Sequence, residues 1–254
     1  MEIVIIGSGN IAYCFSHLLQ LRGHPIKQII SRNKDHAKQL AENLNATYSN
    51  ELADIDMNAD IYLLAVRDEA IRELDAALRL GKRIVAHTGG AVPMQAIRHI
   101  SSNIGVIYPL QSIRKEIKEV KNIPVILEAG NEMVLKRLQA LAEAISDQVV
   151  VMDSQQRLKM HLAAVLCNNF TNHLLALCKD YCGGEGLDFD LLRPLMHETF
   201  DRLEKFDPAE VQTGPAIRND RNTIDKHREL LQGYPDQLKV YELMTESIRK
   251  FSGN

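Results

Sequence analysis

The first 153 residues alternate short apolar runs with longer segments in which apolar residues recur at helical spacing. Short continuous apolar runs are typical of strands covered on both faces of a sheet. We place strands at residues 3–6, 27–31, 60–66, 83–86, 105–108, 124–127 and 149–152, and helices at 10–21, 35–45 and 132–145. Strands that alternate with helices in this way predict an α/β domain built on a doubly wound parallel sheet.

The pattern changes after residue 153. Residues 155–181 contain no proline or glycine and keep a helical period over a greater length than a crossover helix needs. Further helical patterns follow at residues 187–205, 224–231 and 235–251. We therefore predict two domains, residues 1–153 with the sheet and residues 154–254 with helices alone.

A glycine-rich turn directly follows the first predicted strand and opens the first predicted helix, with the sequence Gly7-Ser8-Gly9-Asn10-Ile11-Ala12. In a βαβ unit, the first glycine permits the sharp turn, the second lets backbone N–H groups approach a diphosphate, and a small third residue lets helix and strand pack closely. The helix N-terminus adds a favourable dipole for the diphosphate. The position predicts dinucleotide binding by Gly7, Ser8, Gly9, Asn10 and Ile11; a tight turn that binds nothing is the alternative.

The end of the second strand bears on the choice between NAD and NADP. An acidic side chain there binds the ribose 2′-hydroxyl of NAD, whereas a cation accommodates the 2′-phosphate of NADP. This chain has no acid at that point and instead has Ser31 and Arg32. A guanidinium group offers phosphate a planar pair of charge-assisted hydrogen bonds. We therefore predict NADP as the cofactor, the alternative being an arginine that only caps a surface turn.

Three more turns follow strands whose carboxyl ends meet at the same sheet edge, where such folds bind their ligands. After the third strand comes Val66, after the fourth come His87 and Thr88, and after the fifth comes Gln111. We expect Val66 and Thr88 to contact the cofactor near its nicotinamide and Gln111 to contact a substrate.

Composition and charge exclude several other classes. The net charge is −3 and no long basic run is present, which argues against nucleic acid as a partner. No segment approaches the ~18 to 20 apolar residues of a membrane span, and the first strand leaves no room for a leader, so we expect a cytoplasmic protein. The four cysteines, Cys14, Cys167, Cys178 and Cys182, lack zinc-site spacing, so we expect reduced thiols and no metal.

Taken together, these motifs resemble a known family. The segments 5–12, 31–32, 64–68, 87–90 and 108–111 are similar to NADP oxidoreductases related to pyrroline-5-carboxylate reductase and to deazaflavin-dependent NADP reductases. Residues 159–169 and 213–220 resemble the C-terminal domain of a poorly characterised branch. The resemblance implies a Rossmann domain, a helical domain that forms homodimers and an NADP-linked reduction. His87 replaces the small residues usual in pyrroline-5-carboxylate reductases, which argues against proline synthesis.

Reduction by a nicotinamide requires a proton as well as the hydride, and histidine is the natural donor near neutral pH. The candidates are His161, on the long helix, and His87. At about 100° per residue, His161, Asn168 and Asn172 fall on one side of that helix. We assign His161 as proton donor, Asn168 as the group that orients the substrate and Asn172 as a further contact. An ordinary solvent face is the alternative, although uncharged polar groups suit a shielded cleft better.

Arg218, in the segment 213–220, has two interpretations. It binds a substrate carboxylate, or it pairs with Asp220 to close a loop. The function we expect is NADP-dependent hydride transfer to or from a C=O or C=N group of a small molecule. The alternatives are hydride exchange between NADP and a deazaflavin, and a non-catalytic NADP-binding sensor.

Overall fold

The computed structural model describes residues 1–115 and 123–251. The chain forms two compact units, Met1–Asn168 and Asn169–Asn254. Each is described by itself below.

The first unit is built on one eight-stranded sheet. Its strands are β1 (Ile3–Ile6), β2 (Ile26–Ile30), β3 (Thr47–Ser49), β4 (Ile61–Leu64), β5 (Gly81–His87), β6 (Ser101–Pro109), β7 (Val125–Ala129) and β8 (Val149–Val151). They lie in the order β3-β2-β1-β4-β5-β6-β7-β8. The doubly wound sheet is confirmed, with one correction: β7 runs antiparallel to β6, whereas the other neighbours are parallel. An antiparallel pair near one edge is common in such sheets.

The helices of this unit cover both faces of the sheet. They are α1 (Asn10–Leu21), α2 (Lys34–Glu42), α3 (Asp68–Ala77), α4 (Glu132–Glu143) and α5 (Ser154–Ala164). Successive side chains of a strand point to opposite faces. Accordingly, Ile3 and Ile5 pack into the core that contains residues of α1, α2 and α4, whereas Val4 and Ile6 pack into the core that contains residues of α3.

Two elements are absent from the sequence prediction. The strand β3 has only three residues, two of them exposed, so it carries almost no apolar pattern. The helix α3 buries Ala70, Ile71 and Leu74, a helical spacing that the sequence does contain. Along the chain, α3 lies between β4 and β5. These two strands are parallel neighbours in the sheet, so a crossover connection must join them.

The long helical segment is not one uninterrupted α-helix. After α5, residues Val165–Phe170 form a π-helical turn, and α6 (Thr171–Gly184) follows. A π-helix has i→i+5 hydrogen bonds and more residues per turn than an α-helix. The assumption that His161, Asn168 and Asn172 are related by a constant 100° per residue is therefore wrong.

The second unit is helical, as predicted. Besides α6 it contains α7 (Arg193–Leu203), α8 (Arg221–Leu230) and α9 (Pro235–Phe251). Side chains of α6 and α9 line a shared apolar groove, among them Leu177 and Val240, and Gln237 donates to Asp180 at 2.8 Å. None of the helices in residues 1–115 and 123–251 is long and apolar enough to cross a membrane.

Candidate functional site

The glycine turn lies at the carboxyl end of β1. Gly7 has φ +126°, and a Cβ there would overlap the carbonyl oxygen of Ala65, so only glycine fits. Gly9 immediately precedes α1, and a Cβ placed on it would meet open space. No side chain caps α1, and its first turn holds no acidic residue. The free N–H groups and positive dipole of α1 therefore face open space, and the turn fits a diphosphate.

One cleft joins this turn to the ends of β2 and β4. It is lined by the predicted cofactor residues Gly7, Ser8, Gly9, Ser31, Arg32 and Val66. The Oγ atoms of Ser8 and Ser31 are 2.8 Å apart, so the two turns are hydrogen-bonded to each other. Asn10 and Ile11 form the first turn of α1, beside the cleft.

Arg32 stands at the open end of this cleft. Its Nη1 lies 3.2 Å from Oε2 of Glu73, with 72% and 67% of the two side chains exposed. An exposed ion pair of this kind contributes little free energy, so a phosphate can replace Glu73 at small cost. His36 lines the same end, and its N–H donates to the Asn33 side chain at the start of α2. Neither His36 nor Glu73 was predicted to line the cleft.

Thr88 does not line the cleft in the described structure. Its N–H and hydroxyl both donate to the carbonyl oxygen of Leu64, at 3.2 and 3.4 Å, and its side chain is buried. Thr88 therefore ties the end of β5 to β4, and its contact with the cofactor stays a prediction.

A second polar cluster lies at the carboxyl ends of β5 and β6. Oη of Tyr108 is 3.0 Å from Nδ1 of His161, and the two rings meet edge-on with centroids 5.9 Å apart. Burial raises the pKa of Tyr108 above its usual value, so the phenol keeps its proton. A Cβ at Gly90 would lie 2.7 Å from Nδ1 of His161 and 2.8 Å from Cζ of Tyr108. The pair therefore occupies the space that any side chain at residue 90 would need.

Asp68 brings a carboxyl group to the same cluster. A Cβ on Gly89 would lie 3.1 Å from Oδ1 of Asp68, so carboxyl and imidazole flank two successive glycines. Partial burial raises the pKa of Asp68, Glu69 adds to that rise and His161 opposes it. The Asp68 carboxylate thus lies near the imidazole of His161.

His87 is fully buried. Its Nδ1 accepts a hydrogen bond of 3.1 Å from the N–H of Gly89. Burial and the charge of Arg157 lower the pKa of His87 to about 4, so the ring is neutral at pH 7. A neutral, enclosed imidazole is a poor proton donor, so the geometry favours His161 over His87 as the catalytic candidate, and His87 supports the glycine turn.

A buried ion pair holds α5 against the sheet. Arg157 is 1% exposed, pairs with Glu128 of β7 and donates to the carbonyl oxygen of Val92. The Ser154 hydroxyl also donates to Glu128, at 2.8 to 2.9 Å. Because residues four apart share a helix face, this network fixes the turn that carries His161.

The other predicted site residues are exposed, two in each unit. Asn168, in the π turn, and Gln111, after β6, are exposed residues of the first unit. Asn172 and Arg218 are exposed residues of the second unit. The Asp220 carboxylate accepts from the N–H and hydroxyl of Thr223 and so caps α8. In the part of the chain that the structure describes, no group of three metal-ligating side chains comes together.

Two protein families match different parts of the chain. Residues 2–88 match the family described as NADP oxidoreductase, coenzyme F420-dependent. Residues 123–248 match a domain of unknown function, DUF2520. The chain is also 24% identical over 229 residues to glucose-fructose oxidoreductase domain-containing protein 2 of Bos taurus, and it spans about half, 54%, of that protein's length.

Solved structures resemble the chain over nearly its full length. A Bacteroides fragilis protein provisionally named NADP oxidoreductase is 36% identical, with 98% of each chain covered and a TM-score of 0.91. A Thermotoga maritima protein is 25% identical, with 99% of this chain and 98% of that one covered and a TM-score of 0.75. The 1-pyrroline-5-carboxylate reductase of Streptococcus pyogenes, at 14% identity, 98% coverage of each chain and a TM-score of 0.64, shares the fold.

Proposed function

Because the chain belongs to the family in which an NADP oxidoreductase domain is followed by a DUF2520 domain, we propose that it reduces a C=O or C=N group of a small molecule with NADPH. The observation that carries the proposal is the arrangement of one sheet edge. A cleft suited to a dinucleotide lies at β1, β2 and β4, and a histidine–tyrosine pair lies at the carboxyl end of β6.

The order of the strands supports an orientation for the cofactor. Arg32 and Ser31 follow β2, on one side of the glycine turn, and suit the adenosine with its 2′-phosphate. The nicotinamide then lies on the other side of β1, towards β4, β5 and β6. Strands are about 4.8 Å apart, so β6 is three spacings, or about 14 Å, from β1. When bound, NADPH supplies the hydride.

We assign the proton to His161. Its ring is partly accessible, it is held by Tyr108, and it lies close to the Asp68 carboxylate. The proton moves from the imidazolium to the substrate oxygen or nitrogen as the adjacent carbon receives the hydride, and solvent returns the proton to the ring. Asn168, Gln111, Asn172 and Arg218 remain predicted contacts of the substrate.

The test of this role is the variant His161→Gln. We expect turnover of an imine or keto acid found by screening with NADPH to fall by about 10² or more, while the Kd for NADPH stays unchanged. His99→Gln is the matched control, because His99 is an exposed ring paired with Asp75, outside the cleft and the histidine–tyrosine pair. Full turnover in His161→Gln would remove His161 from the mechanism.

The description of the family that matches residues 2–88 favours a second reaction, hydride exchange between NADP and a deazaflavin. The same cleft and the same nicotinamide position serve this reaction. Mixing the protein with NADPH and oxidised coenzyme F420 distinguishes the two. Bleaching of the deazaflavin absorbance supports exchange, and an unchanged spectrum together with imine or keto acid reduction supports the first function.

We also propose that the protein is a homodimer. Leu158 and Leu162 of α5 and Leu166, which follows α5 in the first unit, are 48 to 58% exposed and recur at four-residue spacing. An apolar row of this kind is unusual on a monomer surface and marks an interaction site. A second copy of the chain presents the same row, as a two-fold interface requires.

A further inference from the structure

Tyr108 is the hydrogen-bonding partner of the proposed proton donor, although no role was predicted for it from the sequence. It belongs to β6, whereas His161 belongs to α5, and both lie in the first unit. The 3.0 Å contact joins Oη of Tyr108 to Nδ1 of His161. Among the described residues, the other ring nitrogen, Nε2, has no hydrogen-bond partner, so it is the atom left for a ligand.

Gly90 makes this contact possible. Its backbone lies so close to both rings that a methyl group would come within 2.7 Å of Nδ1 of His161 and 2.9 Å of Cε2 of Tyr108. Gly90 and Tyr108 are buried and His161 is half-buried, so close packing on the glycine side limits how far either ring can turn. The glycine thus fixes the positions of both rings without itself carrying a functional group.

We propose that Tyr108, in the space left by Gly90, holds Nδ1 of His161 so that Nε2 is the atom that exchanges protons with the substrate. In the protonated ring, Nδ1–H donates to Oη of Tyr108 and keeps its proton throughout. Nε2–H gives its proton to the substrate oxygen or nitrogen, and solvent restores it. The imidazole orientation is set by the hydrogen bond of the nitrogen that does not react. This assignment rests on the proposed role of His161, and it makes Tyr108 a positioning residue.

A purely structural hydrogen bond predicts something different. Loss of one buried hydroxyl costs about 1 kcal/mol of stability and leaves the chemistry of a neighbouring ring unchanged. Tyr62 offers a matched case, because it is buried in β4 and its hydroxyl donates to the carbonyl oxygen of Asp56 at 2.7 Å. Tyr62→Phe therefore controls for the loss of a buried tyrosine hydroxyl that lies away from His161.

The test is a nitrogen-15 NMR measurement on the full chain with labelled histidine, at a pH where the His161 ring is protonated. His161 is assigned by its absence from the spectrum of His161→Gln. We expect a slowly exchanging, hydrogen-bonded Nδ1–H in the wild type and in Tyr62→Phe, and its loss in Tyr108→Phe. An unchanged Nδ1–H in Tyr108→Phe, or a hydrogen-bonded signal that belongs to Nε2, would overturn the proposal.

A second variant tests the same geometry without touching either ring. Gly90→Ala should displace the pair and lose the same Nδ1–H signal, whereas Gly130→Ala, whose Cβ would lie 3.4 Å or more from its neighbours, should keep it. In both Tyr108→Phe and Gly90→Ala, we expect kcat to fall by about tenfold with an unchanged Kd for NADPH. A kcat equal to that of the wild type in Tyr108→Phe would also overturn the proposal. The NMR result needs no substrate, so it stays distinct from a failure of the proposed function.

Discussion

Two glycines control what can approach the carboxyl edge of the sheet. Gly7 has a backbone conformation and a contact with Ala65 that no other residue can reproduce. Gly90 leaves the space that Tyr108 and His161 occupy. The first glycine shapes the cofactor cleft and the second shapes the proton-transfer pair, so each controls a different step of the proposed reaction.

His87 gives a prediction on stability and pH. Its folded pKa of about 4 lies below the ordinary value of 6.5. The unfolded chain therefore binds a proton in the range between these values that the folded chain does not, and stability falls as the pH drops from about 6.5 towards 4. The full span corresponds to about 3 kcal/mol.

We expect His87→Gln to lose less stability than the wild type between pH 7 and pH 4.5. Urea unfolding at the two pH values measures this difference, and His99→Gln, which removes an exposed ring, should behave as the wild type does. Equal pH dependence in His87→Gln and the wild type would contradict a buried, neutral His87.

The residues of the site were predictable to different degrees. Gly7, Ser8, Gly9, Ser31 and Arg32 were found because a local motif places them at strand ends. The roles of Tyr108 and Gly90 were not predicted, because they depend on a contact between β6 and α5. Tyr108 and His161, which make this contact, are 53 residues apart in the sequence. Nothing local in the sequence of a strand end indicates which distant helix will lie over it.

The helix α5 connects the sheet to the proton donor. Its first turns carry Ser154 and Arg157, which bind Glu128 of β7, and its last turn carries His161. A buried charge that loses its partner is strongly destabilising, whereas removal of both charges is often tolerated. The ion pair between Arg157 and Glu128 therefore holds α5 in position against β7.

We expect Arg157→Met to lower the free energy of unfolding by about 3 to 5 kcal/mol, because Glu128 is left without its partner. The double variant Arg157→Met, Glu128→Gln should recover part of that loss. Arg193→Met, which breaks the exposed pair with Asp190, should cost less than about 1 kcal/mol. Urea unfolding measures all three, and a double variant less stable than Arg157→Met would refute the assignment.

At the scale of secondary structure, the periodicity of apolar residues predicted most of the strands and helices. The strands and most helices were placed within a few residues, since buried parallel strands are continuous apolar runs. The reversed direction of β7 and the π turn were missed, because neither changes the spacing of apolar residues. Because the π turn was missed, the prediction that His161, Asn168 and Asn172 share one side of an α-helix was wrong.

On the scale of the whole molecule, the apolar row on the helical segment predicts association. We expect Leu162→Glu to convert a dimer into a monomer, as measured by sedimentation or light scattering. Leu21→Glu is the control, because Leu21 is an exposed apolar residue on α1. A wild-type protein that is monomeric at micromolar concentration would contradict the proposed homodimer.

The proposed reduction requires NADPH to occupy the cleft between Gly7 and Arg32. Calorimetric titration of the wild type and Arg32→Ala with NADPH and with NADH tests this directly. We predict that the wild type binds NADPH at least tenfold more tightly than NADH, a difference of about 1.4 kcal/mol, and that Arg32→Ala loses this preference while its affinity for NADH is unchanged. Equal affinities for the two cofactors in the wild type, or binding of neither, would contradict the account.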